Sequence, residues 1–134
     1  MMMIRALAVS GIALACVSVP AYAHHSFAMF DAEKTITLDG VVKQLEWANP
    51  HCWLYLMVQD ESGKAIEYSL EMQGPGQSLH NGWKPDSVKP GDKISAQIHP
   101  LRTGARGGQL MSIVLPSGQR LAATGRAPSP ITGE

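Results

Sequence analysis

Three histidines are the residues of this 134-residue chain whose types and positions most directly suggest chemistry. His24 and His25 follow residues 21–23, Ala-Tyr-Ala, which have the small-x-small pattern of an export cleavage site. If cleavage makes His24 the first residue, its α-amine and ring nitrogen can chelate one metal ion together, and His25 or His51 can add a second imidazole. Copper favours such a set of three nitrogens. One hypothesis from the sequence is therefore a copper or other transition-metal site at His24, His25 and His51.

A simpler interpretation of the same residues needs no metal. Adjacent histidines after a cleavage site can be an ordinary polar terminus, and the Asn-Pro-His turn at residues 49–51 can serve only to orient the strand that follows, because proline fixes the backbone there. The spacing of the three histidines also lacks the diagnostic value of paired CxxC motifs. Both interpretations stay open at the level of sequence.

Residues 1–23 have the features of a cleaved signal peptide. Arg5 precedes an apolar stretch over residues 6–19, and Pro20 and the cleavage pattern follow. A lipoprotein box at residues 13–16, with Cys16 acylated, is the alternative, but a larger aliphatic residue is expected where Ala13 stands. No later segment approaches the roughly 20 apolar residues of a transmembrane helix. We therefore expect a mature protein in the periplasm or secreted, with no transmembrane segment after signal removal.

The remaining chain, residues 24–134, has enough residues for one small domain. We expect a single β-barrel domain over residues 24–122 and a disordered tail over 123–134, which is rich in Gly, Pro, Ser and Thr. Loss of Arg5 with the signal leaves ten basic against eleven acidic residues, so nucleic acid is not an expected partner. Cys52 is then the single cysteine, and we expect a buried strand thiol; a metal ligand or an intermolecular disulfide are its alternatives.

A period of two dominates the hydrophobic pattern, which predicts an all-β fold of about six short strands. The first predicted strand starts at Ile36 and carries a break or bulge at Asp39-Gly40. A helical turn is expected over residues 77–81, in the middle of the chain. Closure removes sheet edges, so we predict a small antiparallel barrel, partly open and of the oligonucleotide-binding (OB-like) type, with a flat sandwich as the alternative.

The chain resembles a family of small secreted bacterial proteins of unknown function, DUF6152. The resemblance rests first on residues 24–31 (HHSFAMFD), 38–42 (LDGVV) and 47–51 (WANPH). It continues in looser form through residues 74–76, Gly82-Trp83, 89–92 and 115–121. It supports the expected compartment and fold, and it implies no activity and no catalytic residues.

Other residues give weaker indications. Four methionines fall at strand positions where core filling is their usual role: Met29, Met57, Met72 and Met111. The dispersed acidic residues, Glu71 among them, are typical of the solvated faces of strands. Trp83 follows a glycine in an irregular connection, where it either is exposed for ligand stacking or plugs the barrel end.

No recognisable nucleophile-and-base arrangement is present in the sequence. We therefore expect a non-catalytic binding or accessory module whose partner is a periplasmic protein or small ligand. Copper binding through the mature N-terminal histidine is the alternative.

Overall fold

A computed structural model of the chain describes residues 27–124. A short 3-10 turn, Phe27–Met29, precedes the first strand, and the helix α1 lies between the third and fourth strands. The strands and the helix are β1 Ile36–Glu46, β2 Trp53–Gln59, β3 Ala65–Glu71, α1 Pro75–His80, β4 Lys93–Pro100, β5 Gly107–Val114 and β6 Arg120–Ala122.

The six strands form one continuous sheet in the order β3-β2-β1-β4-β5-β6. Neighbouring strands in this order are antiparallel, and a parallel pairing between the end of β3 and the start of β5 closes five of them into a barrel. The predicted all-β barrel with one short helix in the middle is confirmed, although one strand pair is parallel. Because a single sheet closes on itself, the sandwich alternative does not apply.

The barrel interior is filled by the inward-facing residues of alternating strands, as the period of two predicts. The fully buried aliphatic side chains of this core include Val42, Leu54, Leu56, Leu70, Ala96, Ile98, Leu110 and Ile113. Cys52 is also buried, with no disulfide partner, immediately before β2. Its backbone continues the ladder, since Cys52 N–H donates to Gln73 O at 3.1 Å and Cys52 O accepts from Met72 at 3.0 Å.

The long first strand is confirmed, but the position predicted for its break or bulge, Asp39-Gly40, is wrong. Strand β1 runs through Gly40 without interruption, and its register against β2 shifts between Val42 and Gln44 instead. A Cβ atom at Gly40 would lie 2.5 Å from the carbonyl oxygen of Met57. Glycine is therefore needed at this position because β1 and β2 approach closely there.

Trp83 plugs one side of the barrel and is fully buried. Its indole Nε1–H donates to the carbonyl oxygen of Ala122 at 2.9 Å, and the Asn81 amide donates to Ala123 O at 3.2 Å. The connection after α1 thus fixes the chain that follows β6, and Ala123 is itself buried. Of the two roles expected for Trp83, the structure supports the buried one.

None of the helices in the described part of the chain has the length and apolar character needed to cross a bilayer. The predicted signal peptide and most of the predicted tail lie outside the described residues.

Candidate functional site

A groove on the outer wall of the barrel, which we call the outer groove, is a wide concave surface within the described residues. It has a volume of about 480 Å³, a size typical of small-molecule sites. Four strands and the residue after β5 contribute to it. The lining residues are Asp39, Gly40, Val41, Met57, Gln59, Lys93, Ile94, Ser95, Val114 and Leu115.

Strand register explains why these side chains share one surface. Val41 of β1 is paired with Met57 of β2 on one side and with Lys93 of β4 on the other. Asp39, two residues earlier on the same face, is paired with Ser95. Because side chains two residues apart point to the same side of a strand, these residues form two neighbouring rows across β1.

The outer groove combines an apolar floor with a polar rim. Val41 is 37% exposed, and Met57 beside it is half-buried. The rim residues Asp39, Gln59 and Lys93 are exposed, and none of their side chains has a hydrogen-bond or ion-pair partner among residues 27–124. Such a surface can bury part of an apolar ligand and still offer charged groups to its polar ends.

A second region lies at the opposite end of the barrel, around His51. The Asn49-Pro50 peptide bond is cis, and the turn it forms is packed against Gly74. A Cβ atom at Gly74 would lie 2.6 Å from Pro50 O, so the close approach requires glycine. The two backbone hydrogen bonds of Cys52 then hold His51 beside the end of β3.

His51 Nδ1 contacts the carboxylate Oε1 of Glu71. The His51 side chain is 22% exposed and that of Glu71 only 10%. The sequence interpretation of Glu71 as part of a solvated face is therefore wrong. Its carboxylate is covered because β3 ends under the turn at His51, which also supplies its partner.

A small cavity adjoins the His51–Glu71 pair. Its volume of about 10 Å³ has room for about one water molecule. Phe30 lines it from the N-terminal side, and Thr124 lines it from the segment after β6. The Thr124 hydroxyl is buried and has no hydrogen-bond partner among the described residues.

Of the three predicted metal ligands, only His51 can be placed. His24 and His25 lie outside the described residues. Between residues 27 and 124 no three His, Cys, Asp or Glu side chains are grouped so that they could hold a metal ion. A metal centre that includes His51 would therefore need donors from other parts of the chain.

Other side chains that could bind an anion or a metal ion either have structural partners or lie away from the outer groove and the His51–Glu71 pair. Arg102, in the loop between β4 and β5, donates through Nε to Ala28 O at 3.0 Å and so ties the N-terminal segment to this loop. His99 Nδ1 lies 2.7 Å from Lys34 O, and His80 is exposed. Among the methionines, Met72 is buried as expected, but Met29, at the end of the 3-10 turn before β1, is 41% exposed.

Two ionisable groups have pKa values displaced by their hydrogen bonds. The Ser62 hydroxyl, followed by the Lys64 backbone amide, lowers the pKa of Asp60 in the β2–β3 turn. The hydrogen bond from Tyr55 to Glu46, 2.9 Å long, is the main cause that raises the pKa of Tyr55. Neither group lines the outer groove or the cavity beside His51.

Sequence reasoning did not single out the outer groove. Asp39 is one of the dispersed acidic residues that are typical of a solvated strand face, and Lys93 belongs to no motif. The available signal was Val41, an apolar residue at a position of β1 that the alternation assigns to the outer face.

Comparison with known proteins gives a family and nothing more specific. No curated protein and no solved structure matches the chain. A family of unknown function, DUF6152, matches residues 12–111, which include most of the barrel. This confirms the resemblance seen in the sequence: the chain belongs to the DUF6152 family.

Proposed function

We propose that this protein is an exported binding module, in the periplasm or secreted, that holds a small ligand in the outer groove and has no catalytic activity of its own. The observation that carries the proposal is the outer groove itself, with an apolar floor at Val41 and Met57 and a rim of unpartnered polar side chains. A rigid barrel wall supports this surface, so little of it needs to be ordered when a ligand binds.

The binding proposal is tested by adding small apolar and aromatic amide fragments to the ¹⁵N-labelled protein. We expect the amide signals of Gly40, Val41, Met57 and Lys93 to shift together. Val41→Glu places a charge on the groove floor and should abolish these shifts. Ile36→Glu is the matched control, because Ile36 is on the same strand and is also 37% exposed but does not line the groove.

Two results would contradict the binding proposal. One is that fragments shift signals only elsewhere on the barrel. The other is that Val41→Glu and Ile36→Glu behave alike, because the groove floor would then make no specific contribution.

Export is a separate part of the proposal and has its own test. The support is the signal-like sequence of residues 1–23. Expression in a Gram-negative host followed by fractionation and N-terminal sequencing should yield a periplasmic protein that begins at His24. A protein that retains Met1 and stays in the cytoplasm would contradict export, and acylated Cys16 would support the lipoprotein alternative.

Copper binding is the second candidate, and one contact favours it. A carboxylate on one ring nitrogen of a histidine is the arrangement that orients metal-binding imidazoles in proteins, and Glu71 contacts His51 in this way. Phe30 lines the same cavity as His51, and His25 is five residues before it. Five residues span at most about 17 Å, so the length of chain before Phe30 allows His25 to reach His51.

The copper candidate is tested by titration of the processed protein with Cu²⁺, followed by calorimetry and electron paramagnetic resonance. The comparison protein carries one extra residue before His24, which removes the α-amine from the chelate. Tight one-to-one binding that this extension weakens strongly would support the terminal site. Weak binding that the extension leaves unchanged would rule it out.

A further inference from the structure

We propose that the ligand of the outer groove is a zwitterionic α-amino acid with an apolar side chain. This inference rests on the proposed binding function and names its ligand class. It is carried by two opposite charges, Asp39 and Lys93, which flank the apolar residue Val41 on one face of the barrel wall.

The register places the two charges at a suitable separation. Asp39 pairs with Ser95 and Val41 pairs with Lys93, so Asp39 and Lys93 are diagonal neighbours across β1 and β4. Diagonal neighbours in an antiparallel pair are roughly 7–8 Å apart. The two side chains make no ion pair with each other, nor with any other described residue.

A zwitterion fits between these charges. The ammonium and carboxylate of an α-amino acid are both bonded to the α-carbon, and each forms a charge-assisted hydrogen bond of roughly 2.7–2.9 Å to an opposite charge. The ammonium donates to the carboxylate of Asp39, and Lys93 donates to the ligand carboxylate. One small molecule therefore bridges two side chains that do not meet each other.

The surface around the two charges favours an apolar side chain on the ligand. Val41 and Met57 are directly paired across β1 and β2 and form the floor beside Lys93. Leu115 adds apolar surface from the end of β5. Burial of a ligand side chain on this floor stabilises the complex in proportion to the apolar area removed from water.

Some other charged side chains of the barrel do form ion pairs with neighbours of opposite sign. Lys43 is paired with Glu67 on the neighbouring wall, and Asp31 is within ion-pair distance of both Lys34 and Arg102. Asp39 and Lys93 lie on adjacent strands and are unpaired although they have opposite signs. Their separation leaves room for a ligand that carries both complementary charges.

Four forms of one compound separate the contributions of the two ligand charges to binding. L-phenylalanine has both charges, L-phenylalanine amide lacks the carboxylate, N-acetyl-L-phenylalanine lacks the ammonium, and N-acetyl-L-phenylalanine amide lacks both. Binding is measured from the ¹⁵N shifts of Gly40, Val41, Met57 and Lys93. We expect the free amino acid to bind most tightly and the loss of either charge to weaken binding about tenfold. Glycine should bind more weakly than phenylalanine because it makes no contact with the floor.

Charge variants link the effect to the two residues. Asp39→Asn and Lys93→Gln should each weaken phenylalanine binding about tenfold and leave the doubly blocked compound unaffected. The exchanged double variant Asp39→Lys/Lys93→Asp should bind more tightly than either single variant, because the ligand can reverse its orientation. Asp86→Asn and Lys84→Gln are the controls, since both residues are exposed and outside the groove.

The outcomes separate this inference from the binding function on which it rests. The proposed zwitterionic ligand is wrong, and the binding function stands, if the doubly blocked compound binds as tightly as phenylalanine. The same conclusion follows if no member of the series shifts the groove signals while neutral fragments do. If fragments also fail to shift those signals, both proposals are wrong. The predicted rank order, lost in Asp39→Asn and Lys93→Gln and retained in the controls, supports both.

Discussion

His51 Nδ1 contacts Glu71 Oε1, and this contact joins the turn before β2 to the last residue of β3. Both side chains are largely shielded from water, and the contact gives the covered carboxylate of Glu71 a polar partner. The pair is close to the segment that precedes β1, because Phe30 lines the adjoining cavity. The contact links two elements at this end of the barrel, and no metal ion is needed to form it.

The first prediction concerns this pair. His51→Ala leaves the carboxylate of Glu71 without its partner, and we expect the free energy of unfolding to fall by about 1–3 kcal/mol. Glu71→Gln should cost a similar amount, and the double variant should cost less than the sum of the two. Urea denaturation of the four proteins measures this coupling. Additive effects would show that the contact does not contribute to stability.

The second prediction concerns pH and Asp60. Its carboxylate accepts hydrogen bonds from the Ser62 hydroxyl and from the backbone amides of Ser62 and Lys64, which hold its pKa below the ordinary value. A lowered pKa in the folded state means that the stabilisation is fully present above the pKa of the unfolded chain. It is lost as the pH falls through the lower pKa of the folded state.

Asp60→Asn tests this relationship. At neutral pH the variant should be less stable than the natural protein, and the difference should shrink as the solution is acidified through the carboxyl range. The measurement is urea denaturation at a series of pH values. Glu61→Gln is the control, because its neighbouring carboxylate is exposed and has no hydrogen-bond partner among the described residues. A constant difference across the acidic range would contradict the prediction.

The third prediction compares two glycines. Gly40→Ala places a methyl group 2.5 Å from Met57 O, and because the obstacle is backbone, β1 must shift; we expect a loss of about 1–3 kcal/mol. Gly76→Ala in α1 meets no atom within 4 Å and should stabilise the protein by about 0.5–1 kcal/mol. Thermal denaturation distinguishes the two signs. Equal effects would mean that β1 and β2 are not held as closely as described.

The fourth prediction concerns the indole of Trp83. Trp83→Phe retains an aromatic ring but removes the donor to Ala122 O, so a half-buried carbonyl loses the indole as a partner and we expect a loss of about 1–3 kcal/mol. Trp47→Phe is the matched control, since Trp47 packs against the core but has no side-chain hydrogen bond within residues 27–124. Chemical denaturation should show the larger loss for Trp83→Phe. A larger loss for Trp47→Phe would contradict the role of the hydrogen bond.

Local pattern was sufficient for much of the fold. Alternation of apolar residues placed the strands, and the glycine and proline positions placed the connections and the short helix, because these signals act over a few residues. Gly40 shows where such reasoning fails. A glycine within a strand indicates either a break or a close approach of another backbone, and only the position of Met57 O decides between them.

The sequence by itself determined where the strands lie along the chain and that Cys52 and Met72 are buried. Its motifs also indicated the membership in DUF6152. Tertiary structure alone decided which distant residues meet. Glu71 was assigned to solvent because its place in the alternation does not show that the turn at His51 covers it. Asp39 and Lys93 are 54 positions apart, and only the register of β1 against β4 places them on either side of Val41.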